Sequence, residues 1–372
     1  MPCVLATSVT LAHRDRAANG GARIGSTAAD AVRDPGAMRL VEVDGDDEDR
    51  LQALTALFET IRLHDDPDGF AVVIEDVRGM VRYGSELEPY RFELLEDDAG
   101  TAVGVLQHDA PVHDNLHLII AEIGVHPDHR RRGHGTCLVE AYLDRARAQD
   151  RTILWLGTAD DDAGPAAFLE RHGFARAGQD VRRRQVLAEV DPTLVDRLEA
   201  EAAEHARDYR FERLDPPYGD ALLAELARVT AAINDAPMGG LTFEDEVFDL
   251  ERMRNIERAH VLRGERLHRV LARHRDDGEL AGHTVVVVPP WDPVRGEQGD
   301  TAVAREHRGH RLGLALKIEM MRWLAEAEPQ LEVIETWNNV DNTLMIRVNE
   351  ALGYRLSREF AMFERKLRAA AR

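Results

Sequence analysis

The chain has 372 residues, 44% of them apolar and 31% charged, and at roughly 150 residues per domain it is long enough for two hydrophobic cores. Its 47 Lys and Arg stand against 68 Asp and Glu, a net charge of −21, which argues against a surface built for nucleic acid or anionic lipid and makes local basic runs informative. Two cysteines, Cys3 and Cys137, are too few for a disulfide framework or a four-cysteine zinc site. No apolar run approaches the roughly 18 residues of a membrane span and no signal core opens the chain, so the sequence reads as a cytoplasmic protein.

Residues 1–37 mix Ala, Gly, Arg, Asp and Thr without periodicity and read as a disordered leader, with Met38 a candidate start. A strand from Met38, a helix over 48–63, and strands over 90–95, 102–108 and 116–125 follow. A helix over 133–148, a strand over 152–157, a helix over 163–171 and a strand over 183–189 complete a first unit, 38–190. A helical connector occupies 191–207. The order then recurs in a second unit, 208–372: a strand over 209–214, helices over 220–233 and 243–259, and strands over 267–274, 280–288 and 300–304. It closes with a helix over 312–327, a strand over 332–337, a helix over 343–351 and a strand over 362–366. The register supports duplication. Gly104 and Gly282, Arg130 and Arg308, and Gly135 and Gly313 are 178 apart, and Gly173 and Gly353 are 180 apart.

The sharpest local feature is the run from Ile123, Gly124 and Val125 through Arg130, Arg131, Arg132, Gly133, His134, Gly135 and Thr136. A strand enters a basic, glycine-containing loop that opens a helix. Unpartnered amides at the helix start, the helix dipole and close backbone approach at glycine together suit a diphosphate. The second unit repeats the order in Val303, Arg308, Gly309, His310, Arg311, Leu312, Gly313 and Leu314.

These runs resemble the acetyl-CoA loop of the GNAT superfamily of N-acetyltransferases: Arg or Gln, two residues, Gly, one residue, then Gly or Ala. Arg130, Gly133 and Gly135 match it; in the second unit Arg308 and Gly313 match, and Arg311 replaces the first Gly. The superfamily's later helix and turn are recognisable in the segments ending at Gly173-Phe174 and Gly353-Tyr354, and the tandem layout resembles the two-domain acetyltransferases of actinobacteria, mycothiol synthase among them. The resemblance implies an α/β (α+β) fold of two tandem GNAT-like domains, each a mixed, largely antiparallel twisted sheet flanked by helices and splayed between its fourth and fifth strands. It implies acetyl-CoA-dependent N-acetyl transfer to a small amine, by direct attack in a ternary complex. Protein amino groups are a weaker acceptor. The expected assembly is a monomer or weak homodimer, without nucleic acid, membrane or metal.

Transfer from a thioester to an amine needs a base, an oxyanion donor and neutralisation of the leaving thiolate. On the strand where the family places its base lie Glu122 and Asp300; the oxyanion donor is expected as a backbone amide near Gly124 or Val125, and near Ala302 or Val303. The family's thiolate acid is commonly a Tyr, whose positions hold Leu169 and Asn349. Leu donates nothing and Asn is a poor acid, so the general acid is open. Asn338, Asn342 and Asn349, with Asn234, Asp235 and Met238 as acceptor wall, place catalysis in the second unit and firm CoA binding in the first. The missing tyrosines make a non-catalytic acyl-CoA-binding sensor the competing reading.

Other motifs have plainer explanations. His126, His129 and His134 lack carboxylate or thiol partners at ligand spacing and stand among arginines. The acidic run 44–49 suits a helix start better than a calcium loop, and Cys137 reads as core. Dinucleotide-binding and P-loop patterns are absent.

Overall fold

The computed structural model describes residues 38–368, so the expected leader lies outside the described residues. The first copy runs β1 (Arg39–Glu42), α1 (Glu48–Asp65), α2 (Ile74–Tyr83), β2 (Arg91–Glu96), β3 (Ala102–Asp109), β4 (Leu118–Val125), α3 (His134–Ala148), β5 (Ile153–Ala159), α4 (Ala163–Arg171) and β6 (Ala175–Val186). After the connecting helix α5 (Pro192–His205), the second copy runs β7 (Tyr209–Leu214), α6 (Asp220–Thr230), α7 (Leu250–Leu262), β8 (Arg266–His274), β9 (Leu280–Val288) and β10 (Arg295–Val303). It ends with α8 (Leu312–Ala327), β11 (Val333–Asn339), α9 (Thr343–Ala351) and β12 (Arg355–Lys366).

Capping explains several boundaries. Asp47 accepts from the Arg50 amide ahead of α1, and Asp162 and Asp191 cap α4 and α5. The helix expected over 243–259 begins at Leu250, where Asp249 caps it, and 243–249 is extended. The strand expected at 300–304 starts earlier, at Arg295. Sequence periodicity passed over α2, a ten-residue amphipathic helix interrupted by Gly79.

The twelve strands form one sheet in the order β1-β2-β3-β4-β5-β12-β6-β11-β10-β9-β8-β7. Each copy was expected to close its own sheet; instead the closing strands are exchanged. β12 pairs with β5 and β6 pairs with β11, both antiparallel, and the two exchanged strands pair with each other in the middle. Pairing uses main-chain groups alike in both copies, so the strand pattern could not tell an internal partner from an exchanged one.

Helices cover both faces. α3 and α4 pack on Ile119, Ile123 and Leu156 with Ala361 and Phe363 delivered by β12, while α1 and α2 cover Phe92, Leu94 and Val105. In the second copy α5, α8 and the end of α9 bury Val270, Val286 and Ile334, and α6 and α7 bury Leu267, Leu271 and Val285. A fifth cluster joins the copies: Met238, Leu241 and Phe243 of the second lie on Leu118, Ile120, Ile153 and Trp155 of the first.

Candidate active site

In both copies the strand pair expected to part does so. β4 pairs in parallel with β5 only from Leu118 to Ala121, and β10 with β11 only from Arg295 to Glu297. Beyond these points the strands separate, leaving a gap that leads to the loop before α3 or α8.

The two loops share a backbone shape. Arg131 and Gly133 have φ of 63° and 90°; Gly309 and Arg311, at the matching places, have 88° and 53°. Arg311 thus adopts the left-handed conformation that glycine takes in the first copy, and its guanidinium turns to Glu201 of α5, Nη1 to Oε2 2.6 Å. Neither α3 nor α8 has a side-chain N-cap, so the amides of His134, Gly135 and Thr136, and of Leu312, Gly313 and Leu314, open each helix without a cap acceptor. A Cβ on Gly133 would meet nothing within 4 Å, one on Gly135 would lie 3.2 Å from the Phe168 ring, and one on Gly313 would lie 3.9 Å from Thr301. Such a cradle fits a diphosphate better than any side-chain site would.

The leading arginines shape these loops. Arg130 donates from Nε to the Val125 carbonyl (3.0 Å) and from Nη1 and Nη2 to the buried Asp65 at 2.9 and 2.6 Å. Arg308 repeats this with Val303 (3.2 Å) and Asp235 (2.6 Å), and Asp235 is also held by Arg305. Asp235 therefore braces the loop. Asn234 bonds through both amide atoms to the Glu246 main chain, each at 2.9 Å, and Met238 sits on the first copy. Asn234 and Asp235 line an open recess of about 450 Å³ beside Arg228 and Arg305. Arg131 and Arg132 are exposed, as is His129's neighbour Asp128. His126, His129 and His134 contact one another through their rings.

The copies differ at the gap itself. The β3–β4 ladder runs unbroken from Gly104 and Val125 to Asp109 and Ile120, with Glu122 opposite Gln107. The β9–β10 ladder breaks between Gln298 and Thr301, at the level where β10 leaves β11. Gly299 and Asp300 form this bulge, which releases main-chain groups from the ladder. Ala302 and Val303, where an oxyanion donor was expected, remain in register with His283 and Gly282. Asn349 is fully buried; its Nδ2 donates to Asn338 Oδ1 at 2.9 Å, and its Oδ1 has no partner among the described residues. Asn342 accepts from the Met345 amide at 3.3 Å and so caps α9.

On the opposite face, sequence reasoning missed two carboxylates. Glu297, just before the bulge, is pushed up to about 7 by burial and by Glu335, Glu265 and Asp76, against the opposing charge of Arg295. Asp76, on α2 of the first copy, is also raised, chiefly by burial. Glu335 is neutralised by Arg184 (2.8 Å) and Glu265 by Arg263 (2.7 Å), whereas Glu297 and Asp76 form no ion pair among the described residues. The first copy's α1–α2 connection packs beside these groups: Asp66 binds Arg182 at 2.6 Å, the Asp68 carbonyl accepts from Arg184, and the Phe70 ring lies 4.5 Å and 4.6 Å from the guanidinium carbons of Arg184 and Arg295. The reciprocal segment of the second copy fills the corresponding place in the first with apolar side chains, Phe243 stacking on Trp155 at 5.7 Å. Glu297 fell outside the strand expected over 300–304, and Asp76, which helps raise it, lies 221 positions away.

Glu279, Glu306 and His307 form a possible cation cluster, yet Arg228 already bridges the two carboxylates at 3.1 and 3.2 Å. Among the described residues no helix is long and apolar enough to cross a membrane.

The sequence pattern of the acetyltransferase (GNAT) family matches residues 39–174 and 204–354. A mycothiol acetyltransferase from Stackebrandtia nassauensis is 27% identical over 81% of this chain and 92% of its own length, and one from Acidothermus cellulolyticus is 30% identical over 81% and 87%. A tandem GNAT protein from the clavulanic acid biosynthesis pathway superposes with a TM-score of 0.73 at 24% identity, covering 89% of this chain and 98% of the other. With both copies matched across their loops and strand gaps, the chain belongs to the GNAT acetyltransferase family and is an N-acetyltransferase with a tandem fold.

Proposed function

We propose that the second copy transfers the acetyl group of acetyl-CoA to a small cationic amine, directly and without a covalent enzyme intermediate, and that the first copy binds CoA without transferring. The observation that carries this reading is the coincidence, in the second copy alone, of the β10 bulge with the neighbouring carboxylate Glu297. A carboxylate that titrates near neutrality can take the ammonium proton, and a main-chain amide freed by the bulge can hold the oxyanion. Asp76 and Glu297, drawn from different copies, favour a positively charged acceptor. Asp300, in the bulge, remains a candidate to pass the proton through water. Arg308 and Arg130 hold the loops in shape; the first-turn amides of α8 and α3 would hold the diphosphate, with Arg131, Arg132 and His310 at the rim. In the first copy the ladder is unbroken and Ile120 and Trp155 are covered by Phe243 and Met238, leaving an apolar wall where an amine would enter.

The relatives' activity makes the amine acted on by mycothiol acetyltransferases the first acceptor to test, followed by amino sugars, aminoglycosides and amino acids. Thiol release from acetyl-CoA, with mass detection of acetylated product, is the assay. Turnover with at least one amine, competitive with lysine-free small amines and not with peptides, supports the reading. CoA binding without turnover across the panel overturns it in favour of a sensor.

A further inference from the structure

The second copy carries a buried polar wall between α8 and α9 that the first copy lacks. Lys317, in the second turn of α8, is 3% exposed and makes no hydrogen bond or ion pair among the described residues. Its Nζ lies 5.3 Å from the centre of the Tyr354 ring. The Tyr354 amide donates to the Asn349 carbonyl at 3.0 Å, and the Asn349 side chain reaches Asn338 on β11, the far arm of the strand gap. Lys317, Tyr354, Asn349 and Asn338 thus run in sequence from the helix behind the phosphate loop to the gap. The matching positions of the first copy hold Val139, Phe174, Leu169 and Thr158, and the first three belong to one apolar cluster. The fold is therefore satisfied by hydrocarbon here, and the polar set needs another explanation.

The exchanged strand adds to it. Gln185 of β6 is fully buried; its Nε2 donates to the Leu352 carbonyl at 2.6 Å and lies 3.4 Å from the sulfur of Met321, one helical turn beyond Lys317. Its Oε1, like Asn349 Oδ1, is buried without a partner. Two orphaned buried acceptors and an unpaired buried amine on neighbouring elements call for a polar partner. Burial alone lowers Lys317 to about 7. The ionisable groups on the packed elements include Tyr354, the Arg183–Glu350 pair between β6 and α9, Asp300 on β10, His283 on β9, the His268–Glu328 pair by Trp323, the Arg213–Glu319 pair between β7 and α8, and the Arg311–Glu201 and Arg322–Asp196 pairs to α5; none pairs with Lys317.

We infer that Lys317 is the proton donor to the departing thiolate of the second copy, the role for which Asn349 is chemically unsuited. This rests on the second copy being the catalytic one. As the amine nitrogen attacks, the new C–N bond forms and the C–S bond breaks. The ammonium sheds two protons overall: one passes to Glu297 and on to solvent, and the other balances the proton that Lys317 gives to sulfur, leaving free thiol and neutral lysine to be reprotonated. No oxidant or metal enters.

Lys317→Met tests this, because methionine keeps the length and suits an apolar setting. The expected result is a thermal midpoint equal to or above that of the parent, unchanged CoA affinity by calorimetry, and kcat lowered at least 30-fold. The alkaline limb of the kcat–pH profile near 7 should disappear, since a donor is needed only in its protonated form. A kcat within threefold of the parent with the same pH profile overturns the inference and leaves Lys317 a core residue. Glu297→Gln, assayed in parallel, separates the two failures: if it is inactive while Lys317→Met is active, only the donor assignment falls, and if both are active the second copy is not the catalytic one. Lys317→Gln, subject to the same outcomes, serves if the methionine variant does not fold.

Discussion

Replacing Glu297 by glutamine should make the protein more stable and nearly inactive, two effects with one cause. The carboxyl is raised from 4.5 to about 7, and at roughly 1.4 kcal/mol per pKa unit the charged form costs the folded state on the order of 3 kcal/mol before screening. Glu297 is part-exposed, and screening brings the expected figure to about 2–3 kcal/mol. The sign follows from the direction of the shift. Below pH 4.5 folded and unfolded chains both carry the proton and there is no cost; the cost grows between 4.5 and 7 and is complete above 7. Glu297→Gln should therefore exceed the parent in stability at pH 8 by that amount, and by less than about 1 kcal/mol at pH 5. At roughly 2–3 °C per kcal/mol for a chain of this size, calorimetric scans at pH 8 should show a midpoint raised by about 4–8 °C. Thiol release should fall by about 10² to 10⁴, the usual contribution of a positioned base. Equal midpoints at pH 8, or activity within threefold of the parent, would refute the reasoning, the first by denying the buried charge and the second by denying its use.

Two further outcomes concern the scaffold. Arg252 is buried among Glu86 and Asp114 of the first copy and Glu246 of the second, at 2.9, 2.7 and 2.8 Å, so Arg252→Met strands three carboxylates and should cost about 3–5 kcal/mol in denaturant unfolding; a loss under 1 kcal/mol would mean the network is not what fastens the copies together. Arg311→Gly should change stability by less than about 1 kcal/mol, because relief of the left-handed residue offsets loss of the half-exposed pair with Glu201. If Arg311 leaves Glu201 to bind phosphate, that same change lowers CoA affinity at the second copy and flattens its salt dependence; a gain in affinity would show that the side chain only obstructs.

The reciprocal packing gives the duplication a use. The α1–α2 connection of the first copy reaches Arg182 of β6 through Asp66 and Arg295 of β10 through Phe70, and α2 brings Asp76, while the corresponding segment of the second copy packs Met238, Leu241 and Phe243 on the first. One of these contacts is rich in charged groups and the other is apolar, although the folds that form them are alike. The asymmetry is chemical.

Local pattern was enough to reveal the duplication, the two basic glycine-containing loops and the family, because loop and helix-start signals act over a few residues: Arg130, Gly133 and Gly135 are legible without knowing any distant contact. The same locality hid the rest. That Asp65, 65 positions away, holds the Arg130 guanidinium could not be read from the loop. The partners of Asn234, Asp235 and Met238, which brace a loop and pack on the other copy, were equally out of reach of local pattern. Which strand closes which half of the sheet, and that Asp76 of the other copy helps raise Glu297, were decided only by the tertiary structure, since main-chain pairing carries no label of origin and a carboxylate's protonation depends on neighbours that chain folding alone assembles.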